Sequence, residues 1–371
     1  MMLEIKEKEA GKIKRLTNKT FQFDKRFADG FYTANYFLKT RKIVEENLAG
    51  NIVMEQFFQR ADNVMLCGID EVIALVYTFA RNPQDLKIQA LNDGDIISSG
   101  EPVLKITGRY EDFGFLESAI DGILARRTSV CTNCHNLMEV VNGKQVLNMG
   151  DRQDDPYTQM GDGYAAYVAG MRLFSTDAYG KYVGLKGKGT MPHALIQMCD
   201  GDIVRAAECY LKTFPEERVT ALIDYHNNVV EDSVKLAKVL GRKLNAVRVD
   251  TSKSLIDHYF DDKDTSGFDP HGVCPELIIA LRKALDENGF DFVKIVVSSG
   301  FDVEKVKAFE DRGVPVDIYG VGTSLLRVNI GFTGDLVRLN GKDQAKEGRR
   351  EIPSDRLEVV EYTPEQSEIN Y

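Results

Sequence analysis

Short apolar runs alternate with segments of helical spacing along the second two-thirds of the chain. The runs are "QVLNMG", "VTALIDY", "NAVRVDT", "FVKIVVSSG" and "VDIYGVG", and each is strand-length and rich in β-branched residues. Amphipathic segments such as "NVVEDSVKLAKVLGRK", "PELIIALRKALDENG" and "DVEKVKAFEDRG" separate them. Strands that alternate with helices predict parallel β/α units, and a barrel is the natural closure of such units.

The first third and the C-terminal end of the chain have a different pattern. "IDEVIALVYTFA" has helical spacing, "VMLCG" is typical of a strand, and "LKIQALNDGDIISSGEPVLKITGRY" alternates on both sides of a turn at Asn92–Gly94. "GDLVRLNGKDQAKEGRR" predicts a hairpin around Asn340–Gly341 that folds back on the first domain. We therefore predict an α/β fold with a mixed α/β domain over 1–115, a barrel-like β/α domain over 116–327 and a returning tail over 328–371.

Composition and charge narrow the class of protein. The 371 residues are 43% hydrophobic and 28% charged, as in ordinary globular proteins. No stretch approaches the ~20 apolar residues of a membrane span, and the charged N-terminus lacks the apolar core of a signal peptide, so we expect no membrane partner and a cytoplasmic location. The net charge of −10 argues against a nucleic-acid partner, which needs a broad basic face. The net charge does not exclude small anionic ligands, because a few arginines and backbone N–H groups can bind them.

The six cysteines include one string that resembles a metal or haem motif. "CTNCH" runs from Cys131 through Cys134 to His135. It lies inside "LARRTSVCTNCHNLMEVV", which predicts one continuous helix, and no second Cys/His pair follows nearby. We therefore favour buried, reduced thiols over metal or haem ligands.

Polar and small residues follow the predicted parallel strands, where the sites of β/α barrels lie. We expect them to converge on one mouth, and they are Asp151, Arg152, Asp224, Arg248, Asp250, Ser298, Ser299, Gly320 and Gly322. The two last strand ends, "VVSSGFDVEKV" and "IYGVGTSLL", place small residues between a strand and a helix. Backbone N–H groups can approach a phosphate there, and the last two loops of a barrel often form such a site.

The charged residues at these strand ends allow two interpretations each. Arg152 and Arg248 have the planar guanidinium that suits carboxylate and phosphate oxygens. The alternative is that they are solvated surface charges. For any single lysine in these loops, surface charge is the better interpretation. Asp224 and Asp250 end "VTALIDY" and "NAVRVD". Carboxylates beside a phosphate site work through Mg²⁺ or sugar hydroxyls, or else they cap the following helix.

A basic glycine-rich loop precedes one of only five histidines. "KGKGTMPHALIQMCDGD" begins at Lys186 and passes through Lys188 and Thr190 to His193, where an apolar helical segment starts. A histidine in this place could accept a phosphoryl group whose charge the loop neutralises. Alternatively, it merely begins the helix and orders the loop.

Three segments of the chain together resemble a known family. "GTMPHAL", "SSGFDVEKVKAFEDRGVPVDIYGVGTSLL" and "DLVRLNGKDQAKEGRR" are similar to nicotinate phosphoribosyltransferase, a type II phosphoribosyltransferase like the quinolinate and nicotinamide enzymes. The resemblance is close from about residue 115 to 350 and looser before that. It implies a barrel-like β/α domain beside an α/β sandwich domain. It also implies transfer of phosphoribosyl from 5-phosphoribosyl 1-pyrophosphate to nicotinate, with Mg²⁺ as cofactor and ATP as co-substrate.

The resemblance also implies roles for particular residues. His193 would carry a phosphoryl group from ATP, Arg152 would bind the nicotinate carboxylate, and Asp224 and Arg248 would take part in catalysis. Asp224 and Asp250 would hold Mg²⁺. The other residues implied to bind substrates are Tyr32 (stacked on the pyridine ring), Arg126, Arg127, Lys188, Thr190 and Asp250, with Ser299, Gly300, Gly320, Gly322 and Thr323 around the 5′-phosphate.

The resemblance further implies a homodimer or a multiple of dimers. Arg126 and Arg127 lie on the helix that in relatives reaches the neighbouring subunit's site. The resemblance also implies that Lys39 or Arg41 contacts the pyrophosphate.

Departures from the family pattern keep two alternatives open. Gln153 replaces the second arginine of a Phe-Gly-x-Arg-Arg stretch, and "RVDTSKS" lacks the second aspartate of Arg-x-Asp-Ser-Gly-Asp. One alternative is a nicotinamide phosphoribosyltransferase, because Asp177 lies in the segment where relatives distinguish a carboxylate from an amide. The other is a non-catalytic binder of phosphorylated metabolites on the same fold.

Overall fold

The computed structural model describes residues 3–189 and 191–367, and these form two six-stranded sheets and one two-stranded sheet. The strands are β1 (Ile52–Gln59), β2 (Val64–Met65), β3 (Lys87–Ala90), β4 (Ile96–Ile97), β5 (Pro102–Arg109), β6 (Gln145–Asn148), β7 (Leu173–Phe174), β8 (Val219–Leu222), β9 (Leu244–Val249), β10 (Lys294–Val297), β11 (Ile318–Val321), β12 (Phe332–Leu339), β13 (Lys342–Asp343) and β14 (Glu358–Val360). The helices are α1 (Glu4–Glu9), α2 (Asn35–Asn47), α3 (Ile69–Phe79), α4 (Tyr110–Phe113), α5 (Glu117–Met138), α6 (Gln159–Val168), α7 (Asp177–Gly180), α8 (His193–Met198), α9 (Ile203–Thr213), α10 (Val229–Leu240), α11 (Pro275–Glu287) and α12 (Val303–Asp311).

The second sheet is entirely parallel and curled into a half-barrel, in the order β7-β6-β11-β10-β9-β8. All five strands predicted from the apolar runs are present, and α10, α11 and α12 are the predicted crossovers between β8, β9, β10 and β11. The predicted barrel-like β/α fold is confirmed. Because the strands are parallel, their carboxyl ends share one edge of the sheet.

The first sheet is antiparallel, in the order β13-β12-β1-β5-β3-β14. Strands β12 and β14 come from the C-terminal part of the chain, yet they pair with β1 and β3. The predicted hairpin at Asn340–Gly341 is present as β12 and β13, and both turn residues have positive φ, as a type I′ turn requires.

The prediction was less accurate for the strands between residues 50 and 100. The long strand is β1, and only Val64–Met65 of the predicted "VMLCG" strand forms one. The alternating segment forms β3 and β5, which pair with each other, while β4 pairs with β2. Pairing between strands is set by contacts distant in sequence, which local alternation does not specify.

Helix α5 is the predicted continuous helix, and it connects two hydrophobic cores. Its first half packs Ile120 and Leu124 against the antiparallel sheet and α3, and its second half packs Val130 and Leu137 against the parallel sheet. Cys131 and Cys134 are buried in the second core, without a disulfide. Within the described ranges, no set of three or more His, Cys, Asp or Glu side chains is arranged as a metal site, and no helix combines the length and apolarity needed to cross a bilayer.

Candidate active site

A cavity of about 750 Å³ opens where the parallel strands end. The structure brings together there almost all of the residues that the strand pattern predicts. Of the residues predicted from the strand pattern, Asp151, Arg152, Arg248, Asp250, Ser298, Ser299, Gly320 and Gly322 line it, and so do Lys188, His193, Gly300 and Thr323, which the basic loop and the family resemblance indicated. Asp224, from the end of β8, is linked to the cavity through His193.

Small residues bring two backbone segments close together at the floor of the cavity. A Cβ atom on Gly320 would lie 2.6 Å from the sulfur of Met149, and one on Gly322 would lie 2.9 Å from the Met149 carbonyl oxygen. The end of β11 therefore packs directly on the segment after β6. After β10, Ser299 and Gly300 both have positive φ (77° and 70°), a conformation that is uncommon for serine.

His193 and Asp224 form a pair at one side of the cavity. His193 begins α8, and its Nε2 lies 3.3 Å from Oδ2 of Asp224. The carboxylate is almost fully buried, whereas the imidazole is half exposed. Burial raises the pKa of Asp224, and the neighbouring His193 opposes that shift. One ring nitrogen is thereby fixed against a buried carboxylate while the ring remains accessible.

Arg248 carries a buried charge that its protein neighbours only partly compensate. Its Nη2 lies 4.0 Å from Oδ2 of Asp250, and its buried Nε has no hydrogen-bond partner among the described residues. Burial lowers the pKa of Arg248; Asp250 and Asp224 oppose the shift and Arg152 adds to it. Since an uncompensated buried charge is unfavourable, this geometry favours an anionic ligand in the cavity.

Comparisons with known proteins agree with this fold. A sequence model of the family described as "Quinolinate phosphoribosyl transferase, N-terminal domain" matches residues 35–128. The solved nicotinate-nucleotide pyrophosphorylase from Pyrococcus furiosus is 29% identical, with a TM-score of 0.77 over 92% of this chain and 85% of that one. The chain has the fold of the type II phosphoribosyltransferases. Human nicotinic acid phosphoribosyltransferase shares the fold, with a TM-score of 0.65 at 16% identity over 84% of this chain and 75% of that one.

Two bacterial proteins that are similar to this chain are longer than it. Nicotinate phosphoribosyltransferase pncB1 of Mycobacterium tuberculosis (strain ATCC 25618 / H37Rv) is 26% identical over 284 residues, which are 74% of this chain and 58% of that protein. The nicotinate phosphoribosyltransferase of Bacillus subtilis (strain 168) is 24% identical over 243 residues, which are 64% of this chain and 45% of that protein. The match thus spans about half the length of these relatives.

The structure places Arg126 and Arg127, which were predicted to bind substrate, in internal ion pairs. Arg127 donates to Glu71 and Asp162, both at 2.7 Å, and Arg126 donates to Asp154 and Asp162, both at 2.6 Å. Neither arginine lines the cavity of its own chain. The physical reason is that the carboxylates of α3 and α6 are buried and need cationic partners. The two arginines therefore brace the segment around Asp154, which follows Arg152.

Other predicted residues also lie away from the cavity of their own chain. Tyr32 is 43% exposed, donates to Asp24 at 2.7 Å and accepts from Arg26 at 2.7 Å. Arg41 pairs with Glu45 on α2 at 3.0 Å. Thr190 lies outside the described residues.

Asp177 anchors the basic glycine-rich loop. Its side chain is 68% exposed, and it accepts from the Gly187 N–H at 2.8 Å and from Lys186 Nζ at 3.3 Å. Asp177 is not among the residues that line the cavity. Its carboxylate is therefore held within the loop and does not line the cavity.

Several lining residues went unnoticed in the sequence. Ser175 donates to Asp151 at 2.5 Å and follows β7, a two-residue strand too short to give a periodic signal. Arg327 follows the 3₁₀ turn Thr323–Leu326, where no strand end marks it as a site residue. Asp302 caps α12 by accepting from the Lys305 N–H at 2.9 Å, and it also faces the cavity.

Proposed function

We propose that this chain transfers the phosphoribosyl group of 5-phosphoribosyl 1-pyrophosphate to nicotinate, giving nicotinate mononucleotide and pyrophosphate for NAD biosynthesis. The proposal rests on the cavity that contains Arg248, whose buried charge its protein neighbours only partly compensate. The same cavity is lined by Arg152 and by two loops of small residues. Both substrates are anions, with a carboxylate on one and phosphates on the other. Relatives named nicotinate phosphoribosyltransferase support the choice of base.

The proposed roles follow from the chemistry of each lining residue. The loops around Ser299–Gly300 and Gly320–Thr323 offer backbone N–H groups to the 5′-phosphate. Arg152 binds the nicotinate carboxylate through its planar fork, and Arg248 and Lys188 neutralise the pyrophosphate. The pyridine nitrogen forms the bond to the anomeric carbon as the bond from that carbon to pyrophosphate breaks, and the electron pair leaves with pyrophosphate. Positioning and charge stabilisation then supply most of the catalysis.

Asp224 and Asp250 fit a Mg²⁺ ion that binds together with the pyrophosphate. Mg²⁺ prefers oxygen ligands and is commonly held by one or two carboxylates plus substrate phosphates. Oδ1 of Asp224 is buried without a hydrogen-bond partner among the described residues, while Asp250 lines the cavity and accepts from Ser298 at 2.7 Å. When bound, the ion would neutralise the charge of the pyrophosphate.

His193 is the proposed site of coupling to ATP hydrolysis. Because Nε2 faces Asp224, the nucleophile is Nδ1, which attacks the γ-phosphorus of ATP while the bond to the ADP oxygen breaks. Asp224 stabilises the positive charge on the ring, and Lys188 and the basic loop neutralise the phosphoryl group.

The test combines turnover with a histidine variant. Wild-type protein with nicotinate, phosphoribosyl pyrophosphate and Mg²⁺ should release pyrophosphate, faster with ATP, and should hold an acid-labile phosphoryl group from γ-labelled ATP. His193→Ala should keep basal turnover and lose both the stimulation and the label, because the residues that position the substrates remain. His226→Ala, an exposed histidine beside Asp232, is the matched control and should retain both.

Each outcome bears on a different part of this proposal. No pyrophosphate release by the wild type would contradict catalysis and favour a binder of phosphorylated metabolites. ATP stimulation that persists in His193→Ala would place the phosphoryl acceptor elsewhere.

We also propose a homodimer, or a multiple of dimers, in which Tyr32 contacts the base in the neighbouring subunit's cavity. Phe31, Tyr32 and Tyr36 are 63%, 43% and 64% exposed, an aromatic surface that favours an interface. Tyr32→Ala and Arg152→Ala subunits should each be poorly active alone. Mixed, they should recover about a quarter of wild-type activity, because half of the dimers hold one complete site. No recovery after verified exchange, or an active monomer, would contradict shared sites.

The place of Asp177 weakens the nicotinamide alternative. That alternative needs an acceptor for an amide N–H in the base pocket, and Asp177 is instead hydrogen-bonded within the loop at Lys186–Gly187. Nicotinate therefore remains the proposed base.

A further inference from the structure

Lys305 lies behind the loop Ser298–Asp302 and does not line the cavity. It is in the first turn of α12, and its ammonium sits 4.3 Å from the ring centre of Phe301 and 6.0 Å from that of Phe309. Nζ donates a long hydrogen bond, 3.5 Å, to the carbonyl oxygen of Ser299.

This lysine differs from an ordinary lysine on a helix surface. Lys307, two residues on, is well exposed and pairs with Asp311 at 2.6 Å. Burial lowers the pKa of Lys305, so its ammonium has been partly removed from water without an ion-pair partner at salt-bridge distance within the described chain. A desolvated ammonium favours the orientation of a nearby peptide group in which the carbonyl oxygen faces it.

The peptide group whose carbonyl faces Lys305 joins Ser299 and Gly300, which both have positive φ. In a trans peptide the C=O and N–H bonds point in opposite directions. Because the Ser299 carbonyl points to Lys305, the Gly300 N–H points away from Lys305, and Gly300 lines the cavity. No described residue accepts a hydrogen bond from this N–H. The positive φ of Ser299 and the unpaired Gly300 N–H are thus parts of one arrangement.

We propose that Lys305 is a positioning residue for phosphate binding: it holds the Ser299 carbonyl and thereby aims the Gly300 N–H at the phosphate, which it does not itself contact. The inference rests on the proposed assignment of this loop to the 5′-phosphate of the substrate. It adds a residue outside the cavity to the phosphate site.

The test measures binding of ribose 5-phosphate by calorimetry, which needs no turnover. Lys305→Met retains an unbranched chain between the phenylalanine rings and should weaken binding about tenfold, as expected for loss of one charge-assisted interaction. Lys305→Arg should recover part of the affinity, and Lys307→Met should bind like the wild type. In turnover, Lys305→Met should raise the KM for phosphoribosyl pyrophosphate, with smaller changes in kcat and in the KM for nicotinate.

A second variant tests whether Lys305 acts through the Ser299 peptide. Glycine adopts positive φ without strain, so Lys305→Met should cost less affinity in a Ser299→Gly background than in the wild type. A merely structural role would show instead as a lowered Tm with unchanged affinity in the folded protein.

The outcomes separate this inference from the proposed function. Unchanged ribose 5-phosphate affinity in Lys305→Met overturns the positioning role, even if the enzyme transfers phosphoribosyl to nicotinate. Weakened binding in Lys305→Met, in a protein that shows no transfer to nicotinate, supports the positioning role and contradicts the function. A wild type that does not bind ribose 5-phosphate overturns the phosphate assignment of the loop and the role of Lys305 together.

Discussion

Replacing Arg127 by methionine should lower the free energy of unfolding by about 3–5 kcal/mol, the range for removing one partner of a buried ion pair. Arg127 is buried and holds Glu71 and Asp162, both also buried. Methionine fills much of the same volume but leaves both carboxylates without this cation. Burial raises the pKa of Asp162 to about 6, even with Arg127 and Arg126 opposing the shift. The loss should therefore be larger at pH 8, where the carboxylate is charged, than at pH 5, where it is largely neutral.

Urea denaturation at the two pH values measures this effect. Arg205→Met is the control, because Arg205 and Asp200 form an exposed pair and such pairs contribute about 0–1 kcal/mol. A loss below about 1 kcal/mol for Arg127→Met would contradict the internal ion pair and return Arg127 to a role at substrate or at a neighbouring subunit.

Arg152→Ala should raise the KM for nicotinate roughly tenfold or more, since a hydrogen bond to a charged group contributes about 1.5–3 kcal/mol. The KM for phosphoribosyl pyrophosphate should change far less, because the phosphate loops and Arg248 are unaltered. Arg152→Lys keeps the charge but not the planar fork, so its effect should be intermediate. Steady-state kinetics with each substrate varied in turn measure this. Equal effects on both KM values would remove Arg152 from the base pocket.

The parallel half of the molecule could be predicted from the sequence because its signals are local. Five strand-length apolar runs and the helices between them appear in the structure in the expected order. Parallel strands place their carboxyl ends on one edge, so the residues at those ends had to converge, as Arg152, Arg248 and Ser299 do.

The features that sequence reasoning missed depend on contacts between distant residues. Arg127 resembles a substrate arginine until Glu71 and Asp162 are seen to lie buried beside it, 56 and 35 positions away. Lys305 has the spacing of an ordinary solvated helix lysine, and only the loop folded over it shows what its ammonium contacts. Tyr32 keeps its predicted role only if another subunit supplies the pocket.

Direct competition between bases tests the central claim most directly. Wild-type protein, Mg²⁺ and phosphoribosyl pyrophosphate are mixed with equal concentrations of nicotinamide, quinolinate and ring-deuterated nicotinate, and the nucleotides are resolved by mass. The account predicts that deuterated nicotinate mononucleotide predominates and forms in step with pyrophosphate. A predominance of nicotinamide nucleotide or of unlabelled nucleotide, or the absence of any nucleotide, would contradict it.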